Sequence, residues 1–184
     1  MTDSASRGVC IWFTGLSGSG KTTTARRVGE LLQEQGRQVT QLDGDVVRRS
    51  LSSDLGFSRA DRDENVRRVS RLAAEIVARG EVAVCALVSP YRATRDEARQ
   101  IVGAAAFVEV FVDTPLEVCA QRDVKGLYAG SQRGEVSALT GVEDPYEPPI
   151  SPELRLETVG RTVDQNARAV LDYLDERGYL PALR

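Results

Sequence analysis

An apolar run at 9–13 passes directly into Gly15-Leu16-Ser17-Gly18-Ser19-Gly20-Lys21-Thr22, which fits the pattern GxxxxGK(S/T). A buried strand that feeds a Gly-rich turn and then a helix restricts the chain to folds in which a parallel sheet carries a phosphate-binding loop. The glycines let successive backbone N–H groups curl around phosphate oxygens, the Lys21 ammonium supplies a mobile positive charge, and the Thr22 hydroxyl can ligate the Mg2+ that travels with a triphosphate. The loop nominates Gly15, Ser17, Gly18, Ser19, Gly20, Lys21, Thr22 and Thr23 as triphosphate contacts, with Thr22 as a direct metal ligand.

The rest of the chain alternates short apolar runs with amphipathic segments, an α/β pattern. Strands are expected at 9–13, 38–42, 82–87, 107–112 and 154–158, and helices at 22–35, 62–79, 92–102, 115–122 and 163–177. Val110, Val112, Leu116 and Val118 read as core. With 184 residues and no repeat or low-complexity tract, one domain over 1–184 is expected. The segment 125–152 concentrates glycine, proline and charge. It is either a mobile lid over the active site or a passive surface loop.

Composition narrows the chemistry. There is no histidine, so any general base must be a carboxylate, lysine, tyrosine or the substrate itself. Serine–histidine hydrolysis and histidine-ligated metal chemistry are excluded, whereas phosphoryl transfer needs no histidine. A formal net charge of -3 gives no positive field for nucleic acid or an anionic membrane. Cys10, Cys85 and Cys119 lack the spacing of a thiolate metal site and read as buried thiols of a reducing compartment. Residues 1–7 lack the apolar middle of a secretion signal, and no stretch is long enough to span a bilayer, so a cytoplasmic protein is expected.

Asp43-Gly44-Asp45 closes the second expected strand, where an open parallel sheet faces its ligand crevice. Period-two geometry points both carboxylates to one side if the strand persists, although Gly44 is placed to bend the chain. One carboxylate can steer magnesium-bound water while the other receives an acceptor hydroxyl; an Asx turn or a helix cap is the alternative. Arg48, Arg62 and Asn65 follow as a candidate anion pocket, in which guanidinium forks suit sulfate or phosphate oxygens. Arg49, Arg67 and Arg68 read as helix surface, because adjacent positions cannot all face one ligand.

These motifs in order, GLSGSGKT from Gly15, LDGD from Leu42, DLGFS from Asp54, DRDENVRRV from Asp61, SPYR from Ser89, FVEVFVDTPLEVC from Phe107, RDVKGLY from Arg122 and LTGVEDPYEPP from Leu139, resemble the adenylylsulfate kinase (APS kinase) family over almost the full length. The resemblance implies a phosphate-loop nucleoside triphosphate hydrolase-like kinase fold: a mainly parallel sheet flanked by helices, with a mobile lid. It implies transfer of the γ-phosphoryl of ATP to the 3′-hydroxyl of adenosine 5′-phosphosulfate, with Mg2+ as cofactor, giving 3′-phosphoadenosine 5′-phosphosulfate and ADP for sulfate assimilation. A homodimer is implied as well.

Carried over by motif, Asp45 stands beside the acceptor hydroxyl and contacts the metal through water, and Asp43 supports it. Arg48, Arg62 and Asn65 match contacts to the phosphosulfate and nucleoside, and Phe57 and the lid sandwich the acceptor adenine. Val88 and Ser89 match the pocket floor; Ser89 also matches a serine that carries phosphate in some members, or serves as a cap or turn hydroxyl before Pro90. Lys125 and Leu127 fall in the KGLY lid motif, where the Lys125 ammonium closes on phosphate or phosphosulfate oxygens. Arg122 covers the ATP adenine or offsets charge on the transferring group.

The chain departs from the family pattern after LDGD, where Val46-Val47-Arg48-Arg49-Ser50-Leu51 stands for the usual NVRHGL. It also carries Leu139 before Thr140-Gly141, where a phenylalanine is common. A leucine covers an adenine without offering a stacking plane. Two rivals share the triphosphate half of the site, a kinase for another small hydroxylated metabolite and a nonenzymatic nucleotide-binding switch. Neither requires the arginine-rich acceptor side.

Overall fold

The computed structural model describes residues 7–180; the 1–7 stretch read for a secretion signal lies, apart from Arg7, outside the described residues. Five strands, β1 (Val9–Thr14), β2 (Val39–Asp43), β3 (Val82–Ala86), β4 (Phe107–Asp113) and β5 (Leu154–Glu157), pair in parallel in the order β2-β3-β1-β4-β5. The helices are α1 (Lys21–Glu34), α2 (Gly44–Ser50), α3 (Arg59–Ala78), α4 (Arg92–Val102), α5 (Leu116–Arg122), α6 (Leu127–Gln132) and α7 (Val163–Glu176).

Strand β1 is central, and its six residues VCIWFT are all buried, as a strand covered on both faces requires. Its side chains alternate between two cores. Val9, Ile11 and Phe13 join Ala25, Val28 and Leu32 of α1 and Ala167, Val170 and Leu174 of α7. Cys10 and Trp12 instead join Val66, Val69, Ala73 and Ile76 of α3 and Ala98 of α4. The result is a doubly wound phosphate-loop α/β fold, with every strand's carboxyl end directed to the same rim.

Each expected strand is present with ends shifted by at most one residue. Two short helices were not expected as such. Helix α2 begins at Gly44, so the strand does not persist through Asp45; Asp43 caps the helix by accepting from the Asp45 amide at 3.0 Å. Helix α6 lies inside 125–152, where the carboxylate of Asp123 accepts from the amides of Tyr128 and Ala129, both at 3.0 Å. Helix α3 starts at Arg59 rather than 62 because Ser58 caps it, accepting from the Asp61 amide at 3.2 Å. Val118, read as core, is only half-buried and lies outside the apolar clusters, since α5 turns Cys119 inward instead. All three cysteines are free and buried, and among the described residues no helix is long and apolar enough to cross a membrane.

Candidate active site

The loop between β1 and α1 is shaped by positions that only glycine fits. A Cβ on Gly15 would meet the Val112 carbonyl oxygen at 2.6 Å, and Gly20 enters α1 at φ +102°. Gly20 caps α1 without a side-chain bond, so the first-turn amides of the helix face the loop, the arrangement that suits a phosphate. Lys21 is 7% exposed, and its Nζ donates to the Leu16 carbonyl at 2.6 Å. Burial pulls its ammonium down to about 7; Lys125 acts in the same direction, against the charges of Cys119, Asp45 and Asp43.

Thr22 donates to Asp43 Oδ2 at 2.7 Å, and Asp43 Oδ1 is the α2 cap. Asp43 thus takes the helix-cap alternative with one carboxylate oxygen, and the other accepts from the loop hydroxyl. Asp45 sits in the first turn of α2, where its Oδ2 forms an ion pair with Lys125 Nζ from the 125–152 segment. The chain thus brings Lys21, Thr22, Asp43, Asp45 and Lys125 to the carboxyl ends of β1 and β2. No group of three or more acidic or cysteine side chains with metal-holding geometry occurs among the described residues. A cation held by one hydroxyl, nearby carboxylates, phosphates and water needs no such cage, and the Thr22–Asp43 pair fits Mg2+ on those terms.

The acceptor-side candidates converge on the turn 56–57. Arg48 donates to the Gly56 carbonyl at 2.7 Å and lies 4.5 Å over the Phe57 ring, which is 63% exposed. Arg62 spends its fork on protein: Nε donates to the Phe57 carbonyl at 2.9 Å, one Nη to Thr140 Oγ1, and the other to the Ala138 carbonyl at 2.5 Å, with Asp144 3.5 Å away. Burial lowers the pKa of Arg48, and the Arg62 charge adds to the shift. Asn65, one turn along α3 and 5% exposed, has an unpartnered Oδ1. This acceptor is open to a donor from a ligand or water, as are the unpartnered oxygens of Ser52 and Asn166 elsewhere in the fold.

Ser89 is not a helix cap: α4 is capped at Tyr91 without a side-chain bond. Ser89 is buried at φ +38°, a conformation that costs a non-glycine residue on the order of 1–3 kcal/mol. Its hydroxyl accepts from Trp12 Nε1 at 3.1 Å, and the adjacent Val88 carbonyl accepts from Thr14 at 2.8 Å. Arg122 reaches the far side of the loop, donating to the carbonyls of Gly18 and Ser19 at 3.4 Å and to Thr158 at 3.2 Å. Leu139, 7% exposed, packs with Cys119 and Tyr128, and Leu127 lies against the same small cluster. Arg67 and Arg68 pair with Glu97, Glu64 and Asp54 as helix surface.

Sequence reading missed Tyr128, whose hydroxyl donates to the Ser17 carbonyl at 2.8 Å and ties α6 to the loop. It also missed Arg95, although a lone carboxylate inside an apolar strand, Glu109 in FVEVFVD, signals a buried cationic partner.

An adenylylsulphate kinase family model matches residues 7–157. An adenylyl-sulfate kinase of Halothermothrix orenii is 52% identical over 174 residues, covering 95% of this chain and 93% of that one. One from Synechococcus sp. (strain JA-3-3Ab) is likewise 52% identical, covering 95% and 98%. The fold superposes with a TM-score of 0.88 on a Mycobacterium tuberculosis APS kinase solved with AMPPNP and APS, at 45% identity over 92% of this chain and 98% of that one. With the family model spanning most of the chain and relatives this similar along nearly all of it, the protein belongs to the adenylylsulfate kinase family.

Proposed function

We infer that the protein is an ATP-dependent adenylylsulfate kinase that moves the γ-phosphoryl of ATP to the 3′-hydroxyl of adenosine 5′-phosphosulfate. The observation that carries this reading is the meeting of Lys21 and Thr22 with Asp43, Asp45 and Lys125, beside the arginine-rich turn at 56–62. In the transfer, the 3′-oxygen forms a bond to the γ-phosphorus as the bond to the β–γ bridging oxygen breaks and ADP leaves. Asp45 orients the hydroxyl and receives its proton. Lys21 holds the donor phosphates; its low ammonium pKa is restored by an approaching phosphate. Mg2+ would be held by Thr22 directly and by Asp45, with Asp43 beside it, through water, and would offset the negative charge of the donor phosphates.

Gly15 to Thr23 cradle the donor phosphates, and Arg122 covers the donor adenine. Arg48 and Phe57 address the acceptor, and Asn65 orients its nucleoside. Arg62 fixes Thr140 and the 138–144 turn above the acceptor, since its donors engage that turn. Val88 and Ser89 form the floor, with Ser89 as a pocket residue rather than a phosphate carrier, because its hydroxyl is buried against Trp12. The 125–152 segment acts as a lid through Lys125, Leu127 and Tyr128, with Leu139 as its apolar seat. We place the enzyme in the cytoplasm as a homodimer, independent of nucleic acid and membrane, and light scattering in solution tests the assembly.

The function is tested by ATP turnover with adenylylsulfate, gluconate, nucleoside monophosphates and polynucleotide ends. Turnover with adenylylsulfate alone is expected. Preference for another hydroxylated acceptor, or slow turnover indifferent to every acceptor, would favour the other-metabolite kinase or the nucleotide switch.

A further inference from the structure

One buried guanidinium joins two stretches that are 52 residues apart in the chain. Arg95 on α4 is 2% exposed, and every direction of its fork is occupied. Nε donates to Glu109 Oε1 on β4 at 2.8 Å, one Nη to the Ser89 carbonyl at 2.6 Å, and the other to the Glu147 carbonyl at 2.6 Å. Around it the same two stretches are laced together. The Glu147 amide donates to the Pro90 carbonyl at 2.8 Å, the Arg92 amide to Glu147 Oε2 at 2.8 Å, and Arg92 Nε to the Pro148 carbonyl at 2.7 Å. Tyr146 stacks on Phe111 and shares a 2.9 Å hydrogen bond with Thr14, which also donates to Val88.

Glu109 faces two guanidiniums, Arg95 at 2.8 Å and Arg99 at 3.8 Å. It is the one charge within the buried run 107–112 of β4, and burial raises its carboxyl pKa while Arg95 first, then Arg99, favours the charged form. A buried charge is tolerated only against a well-bonded counter-charge. The Ser89 carbonyl that Arg95 holds belongs to the residue at φ +38°, which needs outside bonds to persist. The Glu147 carbonyl belongs to the root of the segment that carries Thr140 and Asp144 to Arg62.

We infer that Arg95, with Glu109 as its counter-charge, is a positioning residue for the acceptor: it fixes the pocket floor at Val88 and Ser89 and the root of the closing segment at 146–148 to a single point. This rests on the acceptor site proposed above. Floor and roof then keep their separation, and the acceptor meets a preformed gap rather than ordering it on binding. Lysine cannot substitute, since one ammonium on a flexible stem does not reproduce three planar directions.

A matched control exists at the opposite end of the sheet. Arg37 is also buried and donates to the carbonyls of Tyr179, Arg7 and Gly80. Steady-state kinetics with ATP and adenylylsulfate varied independently, together with melting curves, should be recorded for wild type, Arg95→Lys, Glu109→Gln and Arg37→Lys. Arg95→Lys is expected to raise the adenylylsulfate KM about tenfold while the ATP KM stays within about twofold of wild type. Glu109→Gln should shift the same constant in the same direction by less, and Arg37→Lys should lower Tm without moving it. The inference is overturned if Arg95→Lys leaves the adenylylsulfate KM at the wild-type value, raises both Michaelis constants equally, or is matched by Arg37→Lys. Should Arg95→Lys not fold, Glu109→Gln is judged by the same criteria. Wild-type enzyme that ignores adenylylsulfate would refute the proposed function instead, and the same split is then read on whichever acceptor supports turnover.

Discussion

The donor and acceptor halves of the proposed site are built by different means. The donor loop hangs from a fully buried strand, and its shape is fixed by backbone conformation: Gly15 fits where no Cβ can, and Gly20 turns into α1 through a left-handed residue. The acceptor half is assembled from side chains, two of which reach across long sequence separations, Arg62 to Thr140 and Lys125 to Asp45, while Arg48 reaches the nearby 56–57 turn, over a surface that leaves Phe57 exposed. On the proposed assignment a triphosphate would meet the same backbone amides whichever acceptor is used, whereas acceptor identity would rest on replaceable side-chain contacts. Variation in what such a chain phosphorylates should therefore concentrate in the second half.

The largest expected effect breaks the donor half. Lys21→Ala should lower kcat by about 10²–10³-fold with every competent acceptor, because it removes a preorganised charge from the transferring phosphates. Initial rates with two acceptors check this, and a loss confined to one acceptor would put Lys21 on the wrong side of the comparison. Asp45→Asn should follow, lowering kcat by about 10²-fold while thermal unfolding stays cooperative, since a half-exposed carboxylate at the start of α2 contributes to the transition state more than to the core.

Next come the acceptor arginines. Arg48→Ala and Arg62→Ala should each weaken adenylylsulfate binding by about 10–100-fold, with the ATP affinity nearly unchanged. Calorimetric titration in the presence of a nonhydrolysable ATP analogue measures this without turnover. Equal loss for donor and acceptor would erase the distinction between the halves. Tyr128→Phe tests their junction: losing the bond to the Ser17 carbonyl should cost about 1 kcal/mol of stability and raise the ATP KM a few-fold, read by denaturant melts and kinetics.

The smallest effect is a pH dependence in α6. Hydrogen bonds from the backbone amide of Ala129 first, and then of Tyr128, hold the Asp123 carboxyl below its ordinary value. A folded pKa depressed in this way gives stability that is present above the unfolded value of 3.8 and is lost as pH falls through the lower folded value. Amide NMR shifts of Tyr128 and Ala129 should stay constant at neutral pH and move only in that acid window, and Asp123→Asn should abolish the transition.

The same division governs what could be read from the sequence. β1 and its loop were legible because five successive apolar residues and a fixed Gly-Lys-Thr ending each carry a local physical signature. Helix α2 was not drawn, because seven residues containing Asp45, Arg48 and Arg49 show no apolar period; its start depends on the Asp43 cap. Helix α6 is shorter still and is fixed by Asp123. Arg95 carries no local signature within the expected 92–102 helix, because its three acceptors lie 6, 14 and 52 residues away. Period and motif report what a segment does with its neighbours, and long-range side-chain bonds leave no such trace except an oddity such as Glu109.

The central claim is that the phosphoryl of ATP goes to the 3′-hydroxyl of adenosine 5′-phosphosulfate. ³¹P NMR of the wild-type enzyme with Mg2+, ATP and adenylylsulfate tests it directly, because a new phosphomonoester on the ribose is distinct from the phosphosulfate signal. A 3′-phosphomonoester resonance is expected to grow in step with ADP, one for one, and to grow about 10²-fold more slowly in Asp45→Asn. ADP accumulating with inorganic phosphate while the adenylylsulfate resonance stays unchanged would contradict it.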